Sequence, residues 1–198
     1  MFVFVSLHEI GTHYTYALVP YDSFLTAYFN FSLNKTMGWS RNNFDRLAHF
    51  SYGLLLAYPI REVYCQIANT KGFWSYLSPL NFIMATSMIF ELFEWGVAEL
   101  FGGDLGMAYL GTQGDVWDAH KDMTLASLGA LIAMAITLFI NMRFQKKFTE
   151  EWNLSLNIAR NKPLGKDEIK KMTSKNKKTV ETLQLIIDNS TSLAIGAN

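Results

Sequence analysis

The sequence predicts an all-α fold, a polytopic bundle of about four transmembrane helices followed by a polar C-terminal tail. Three observations predict it. Half of the 198 residues are hydrophobic and 15% aromatic, against 17% charged, a balance too apolar for an ordinary soluble domain. Twenty residues, Met123 to Met142, carry no charge; at 1.5 Å per residue they cover about 30 Å, the thickness of a bilayer's hydrocarbon. At Arg143 the chain turns abruptly polar and basic. The division follows: residues 1–147 form a membrane-embedded helical domain, and 148–198 a basic cytoplasmic tail, partly disordered.

In chain order, Met1 to about Val19 reads as a first span interrupted by His8, Glu9 and His13, which have to face a protein interior. The opening MFVFVSLHEIG has no positive leader and no small-residue cleavage site, so it reads as part of that span. Pro20 ends the helix, and the aromatic stretch Tyr21 to Asn43 suits the membrane interface. Phe44 to about Ala68 is the second span and Trp74 to about Ala98 the third, with Pro79 in its first turns, where a missing N–H is best tolerated. The glycine-rich Leu100 to Gly114 reads as a loop. The acidic run GTQGDVWDAHKDM leads into the fourth span. Beyond it, Phe148 to Leu156 continues as helix, Asn161 to Gly165 is a break, Lys166 to Asp188 is weakly helical, and the last ten residues read as disordered. Gly53 and Gly129 read as positions of close helix packing.

Charge is distributed unevenly although the total is zero. Residues 1–142 hold six Lys/Arg against eleven Asp/Glu, and residues 143–198 hold eleven against six. Without interleaved aromatics, and directly after a span, the basic tail is an orientation signal and not a nucleic-acid site. It places the C-terminus in the cytoplasm. The single Cys65 excludes an internal disulfide framework, and no Cys/His zinc pattern occurs.

Counting crossings yields a functional expectation. Asp45 and His49 open the second span, Glu91 and Glu94 close the third, and Asp115, Asp118, His120 and Asp122 open the fourth. Antiparallel threading therefore gathers them at one face, with His13 and His8 of the first span at a similar level. Pairs three or four residues apart share a helix face, and carboxylates with imidazoles from facing helices are how bundles hold metals. The expected ligands are His13, Asp45, His49, Asp115 and Asp122, and the expected catalytic carboxylates are Glu91, Glu94 and Asp118. Zinc, manganese, iron and magnesium all suit such a donor set. The chemistry expected is metal-assisted hydrolysis of a lipid-linked or envelope substrate. HEIGTH is not the metalloprotease HExxH, because five residues separate its histidines. The alternatives are a helix-capping role for Asp45, an ordinary interior role for His49, and, for the whole protein, a small transporter, a proton-coupled carrier or a structural subunit.

The strings HEIGTHYTYALVPYD, NNFDRLAHFSYGLLLAYPIREVY and GTQGDVWDAHKDM, in this order over about residues 8 to 142, resemble the YjdF-like bacterial inner-membrane proteins. A more distant resemblance is to VanZ-like proteins. Asp45, Arg46, His49, Phe50, Glu91, Asp122 and Gly129 fit that pattern, while Ala126 stands where it has asparagine. The first resemblance implies residence in the bacterial inner membrane, the second membrane residence, and neither implies a particular reaction. Members of the YjdF-like group look longer at the N-terminus, so this chain reads as a short form or a fragment.

Overall fold

A computed structural model describes residues 1–103, 106, 110–157 and 165–195 of the chain. The described elements are all helical: α1 (Phe2–His13), α2 (Tyr21–Phe29), α3 (Leu33–Met37), α4 (Phe44–Ile67), α5 (Trp74–Phe101), α6 (Asp118–Phe144), α7 (Phe148–Leu156) and α8 (Lys166–Ile195). α5 and α6 are long and apolar enough to cross a bilayer. α4, with 24 residues, is somewhat shorter, with Asp45 and Arg46 at one end and Arg61 and Glu62 at the other.

The bundle is built inside out. Its buried core is made largely of small residues, with Ala57, Ala126 and Ala130 fully enclosed. Large side chains such as Ile89, Phe93, Leu131 and Phe139 face outward, each more than half exposed. In water that surface would drive aggregation; in lipid, where apolar side chains gain nothing by leaving the surface, small residues at the crossing let backbones meet. The α4–α6 crossing is the closest such approach. A Cβ added to Gly53 would lie 1.9 Å from the carbonyl oxygen of Ala126, and one added to Gly129 would lie 2.3 Å from that of Phe50.

α1 is shorter than the expected first span. It stops at His13, and its 12 residues cover about 18 Å. Thr15 and Tyr16 then adopt φ of 51° and 53°, a left-handed turn that sends the Tyr16 ring back over Gly11. That glycine has no room for a side chain, since an added Cβ would lie 2.3 Å from Tyr16 Cε1. Pro20 stands at the N-cap of α2, and the aromatic stretch after it folds into α2 and α3. There the Asp22 carboxylate accepts the Asn34 N–H at 2.9 Å and the Ser32 hydroxyl at 2.8 Å. The Asn34 bond leads in holding the Asp22 pKa below its usual range.

The first compact unit extends to Leu156, past the boundary expected at Lys147, because α7 docks on the bundle. Trp152 meets Phe73, Tyr76 and Phe148, and Ser155 Oγ accepts the Phe73 N–H at 2.9 Å. The second unit, residues 157–198, contains α8, which runs into the segment expected to be disordered. The expected break lies outside the described residues except for Gly165, as do the last three residues.

Candidate functional site

Each polar group of the site is set by helical periodicity. Asp45 and His49 lie four apart on α4, Glu91 and Glu94 three apart on α5, and Asp118 and Asp122 four apart on α6, so each pair shares one face of its helix. The starts of α4 and α6 and the last third of α5 lie at one end of the bundle. There all six line a cavity of about 810 Å³, together with Asp115, Tyr52, Phe90 and Trp95.

The cavity is organised in two layers. In the outer one every carboxylate has a cation. The Arg41 guanidinium donates to both Asp45 and Asp118 and, at 3.1 Å, to the Thr112 carbonyl. Arg46 donates to Asp115 at 2.5 Å and to Asp118 at 3.4 Å, while Lys121 reaches Asp115 at 2.6 Å. The Lys121 bond, followed by the Trp117 N–H, holds the Asp115 pKa down at about 2.

In the inner layer, among the described residues, no Lys or Arg pairs with the carboxylates. His49, Glu91 and Asp122 each offer one ligand atom, all within 4.8 Å of one another; Asp45, Asp118 and Asp122 form a second such group that shares Asp122. Asp122 is 4% exposed and the Glu91 side chain 9%. Yet Asp122 Oδ1 and Glu91 Oε1 have no hydrogen-bond partner among the described residues. His49 Nε2 comes within 3.4 Å of Glu91 Oε1 without the alignment of a hydrogen bond. Leaving buried carboxylate oxygens bare costs several kcal/mol in an apolar setting, and a divalent cation is one remedy. Two carboxylate oxygens and one imidazole nitrogen fit zinc, manganese or iron, and magnesium with added water.

Of the residues singled out from sequence, Asp45, His49, Glu91, Glu94, Asp115, Asp118 and Asp122 come together. His13 does not. It is exposed at the end of α1 and packs edge-on to Tyr14 at 4.7 Å, because five residues of helix turn it about 140° away from His8. His8 faces inward, lines the cavity and pairs through Nδ1 with the Tyr16 hydroxyl at 2.5 Å. His120 lies outside, against the Trp117 ring at 5.3 Å. Sequence reasoning missed Arg41 and Tyr16. For Arg41 a signal existed, a lone arginine four residues before Asp45; for Tyr16 there was none.

Comparisons with known proteins agree with this architecture. The family model described as "Predicted membrane protein (DUF2238)" matches residues 1–143. The inner membrane protein YjdF of Escherichia coli (strain K12) is 33% identical over 157 residues, which cover 75% of this chain and 69% of that protein. No solved structure matches the chain. With the family model spanning most of the chain, every helix of the bundle and both layers of the cavity, the protein belongs to the predicted membrane proteins of the DUF2238 family.

Proposed function

We propose that the inner layer holds a divalent metal ion and that the protein is a metal-assisted hydrolase of a lipid-linked or envelope substrate. The observation that carries this reading is the pair of buried oxygens without a partner among the described residues, Glu91 Oε1 and Asp122 Oδ1, converging with His49. His49, Glu91 and Asp122 are the ligands. A bound metal supplies Lewis-acid polarisation of water and of the scissile group. Glu94, on the same cavity wall, is the base that takes a proton from the attacking water and returns it to the leaving oxygen. Asp118 and Asp45, held by Arg41, position the outer wall. Phe4, Tyr52, Phe90 and Trp95 of the lining suit the apolar part of an amphiphile.

The protein sits in the inner membrane, as the name of its Escherichia coli relative indicates for that protein. Arg143, Lys146 and Lys147 after α6 put its C-terminus in the cytoplasm and the cavity toward the outer leaflet.

Metal analysis of detergent-purified protein tests the centre. About one divalent ion per chain is expected in the wild type, lost in Glu91→Gln, His49→Ala and Asp122→Asn and retained in Asp115→Asn. Metal-free wild type after supplementation with each candidate ion overturns the reading. It favours the second one, a carrier or structural subunit, which the arginine-paired Asp45, Asp115 and Asp118 support.

A further inference from the structure

α8 is a basic amphipathic helix, and the described residues of its apolar face are exposed. Ile169, Met172, Val180 and Leu183 are 64%, 68%, 62% and 55% exposed. At 100° per residue they fall within about 80° of one another, a stripe that Asn176 interrupts at its centre. Exposed Lys170, Lys175, Lys177 and Lys178 flank that stripe and cover the opposite side. Six lysines against two acids lie between Lys166 and Lys178. A sequence this polar on average gains little from helix propensity alone, because Thr173, Ser174, Asn176, Thr179 and Thr182 are weak helix formers. A surface that takes up the stripe gives the helix a reason to persist.

We propose that α8 lies on an anionic bilayer surface, its apolar stripe among the acyl chains and its lysines at the lipid phosphates. Charge complementarity selects this occupant. A second copy of the helix would bring lysines against lysines, whereas an anionic leaflet attracts them, and lysines at the flanks of the stripe reach lipid phosphates while their stems stay apolar. Connectivity helps as well. Only the nine residues 157–165 separate α8 from α7, whose docking on a membrane-embedded bundle is described above, so the helix always meets the leaflet at high effective concentration. The inference is independent of the metal centre and of which leaflet is cytoplasmic.

The test uses the full chain with Cys65→Ser, reconstituted into vesicles of phosphatidylcholine alone or mixed with phosphatidylglycerol. Spin labels are placed at Met172→Cys, Val180→Cys and, on the opposite side, Lys178→Cys. In the mixed vesicles the labels at 172 and 180 lose about threefold or more of their accessibility to a water-soluble nickel chelate, and salt restores it, while the label at 178 stays accessible. Equal exposure of the three labels in both lipids overturns the proposal. So does equal protection of 172 and 180 in neutral and anionic vesicles, which assigns the stripe to a protein surface.

Discussion

The two ends of the bundle handle buried polarity in opposite ways. At the end away from the cavity, Arg61 lies over the Tyr76 ring, 4.6 Å from its centroid, and donates to Glu62 at 3.0 Å and Ser75 at 3.3 Å. Asn141 donates to the Tyr76 hydroxyl at 2.7 Å. At the cavity end the outer acids are equally well paired, yet one turn deeper the partners run out. Of the six buried side-chain atoms without a hydrogen bond among the described residues, Arg61 Nε alone belongs to the closed end, and Asn43 Oδ1, Arg46 Nε, Ser87 Oγ, Glu91 Oε1 and Asp122 Oδ1 to the other. A bundle able to satisfy its polar groups at one end leaves them without partners among the described residues at the other, around the cavity, and the proposed metal centre rests on that contrast.

The contrast can be broken most forcefully at Arg41. Arg41→Ala removes the paired cation of Asp45 and the nearer of the two on Asp118, and a loss of about 3–5 kcal/mol is expected by denaturation in detergent; a loss below 1 kcal/mol would mean that water or Arg46 already serves those acids. Gly53→Val, which has to push α4 and α6 apart at the crossing that serves both ends, is expected to cost about 1–3 kcal/mol and to abolish metal binding as His49 and Asp122 separate. Unchanged thermal stability in that variant would contradict the close approach.

Smaller effects sharpen the comparison by their signs. Asn141→Leu at the closed end removes a satisfied bond and leaves the Tyr76 hydroxyl bare, for a cost of about 1 kcal/mol. In metal-free protein Glu91→Gln is expected to be neutral to slightly stabilising, because the carboxyl it replaces has a buried oxygen without a partner among the described residues. If both variants lose stability alike, the ends do not differ. The smallest effect is pH-dependent. The Asp115 carboxyl lies below its ordinary 3.8, at about 2 in the folded protein. Its stabilising contribution is therefore fully present above 3.8 and is lost only as pH falls toward 2. Lys121→Ala removes the leading cause of that depression, so the acid limb of unfolding moves up in pH.

Much of this was legible in the residues. Long apolar runs bounded by charges marked α4, α5 and α6 to within a few residues, since hydrocarbon thickness leaves little choice of length. Counting crossings then put Asp45, His49, Glu91, Glu94 and Asp118 at one end without any knowledge of packing. What escaped was tertiary. The end of α1 at His13 depends on a left-handed turn at Thr15 and Tyr16, two residue types that do not advertise positive φ, and on a ring contact with Gly11. Arg41 lies in a stretch that reads as interfacial aromatics, and its grip on Asp118, 77 residues away, is a matter of how α4 meets α6. The split of the acids into a paired outer layer and a bare inner one follows from those guanidinium positions, so it too was hidden.

The docking of α7 carries a mechanical implication. Ser155 grips the turn between α4 and α5 through the Phe73 N–H and, by its carbonyl, the Trp74 indole at 3.0 Å. Gly72, at φ 54°, fits beneath because a Cβ there would strike Ser155 Oγ at 2.3 Å. Ser155 therefore clasps the closed end of the hairpin whose two arms carry His49 and Glu91, so a segment far from the cavity in sequence helps to fix the pair of helices that frames it.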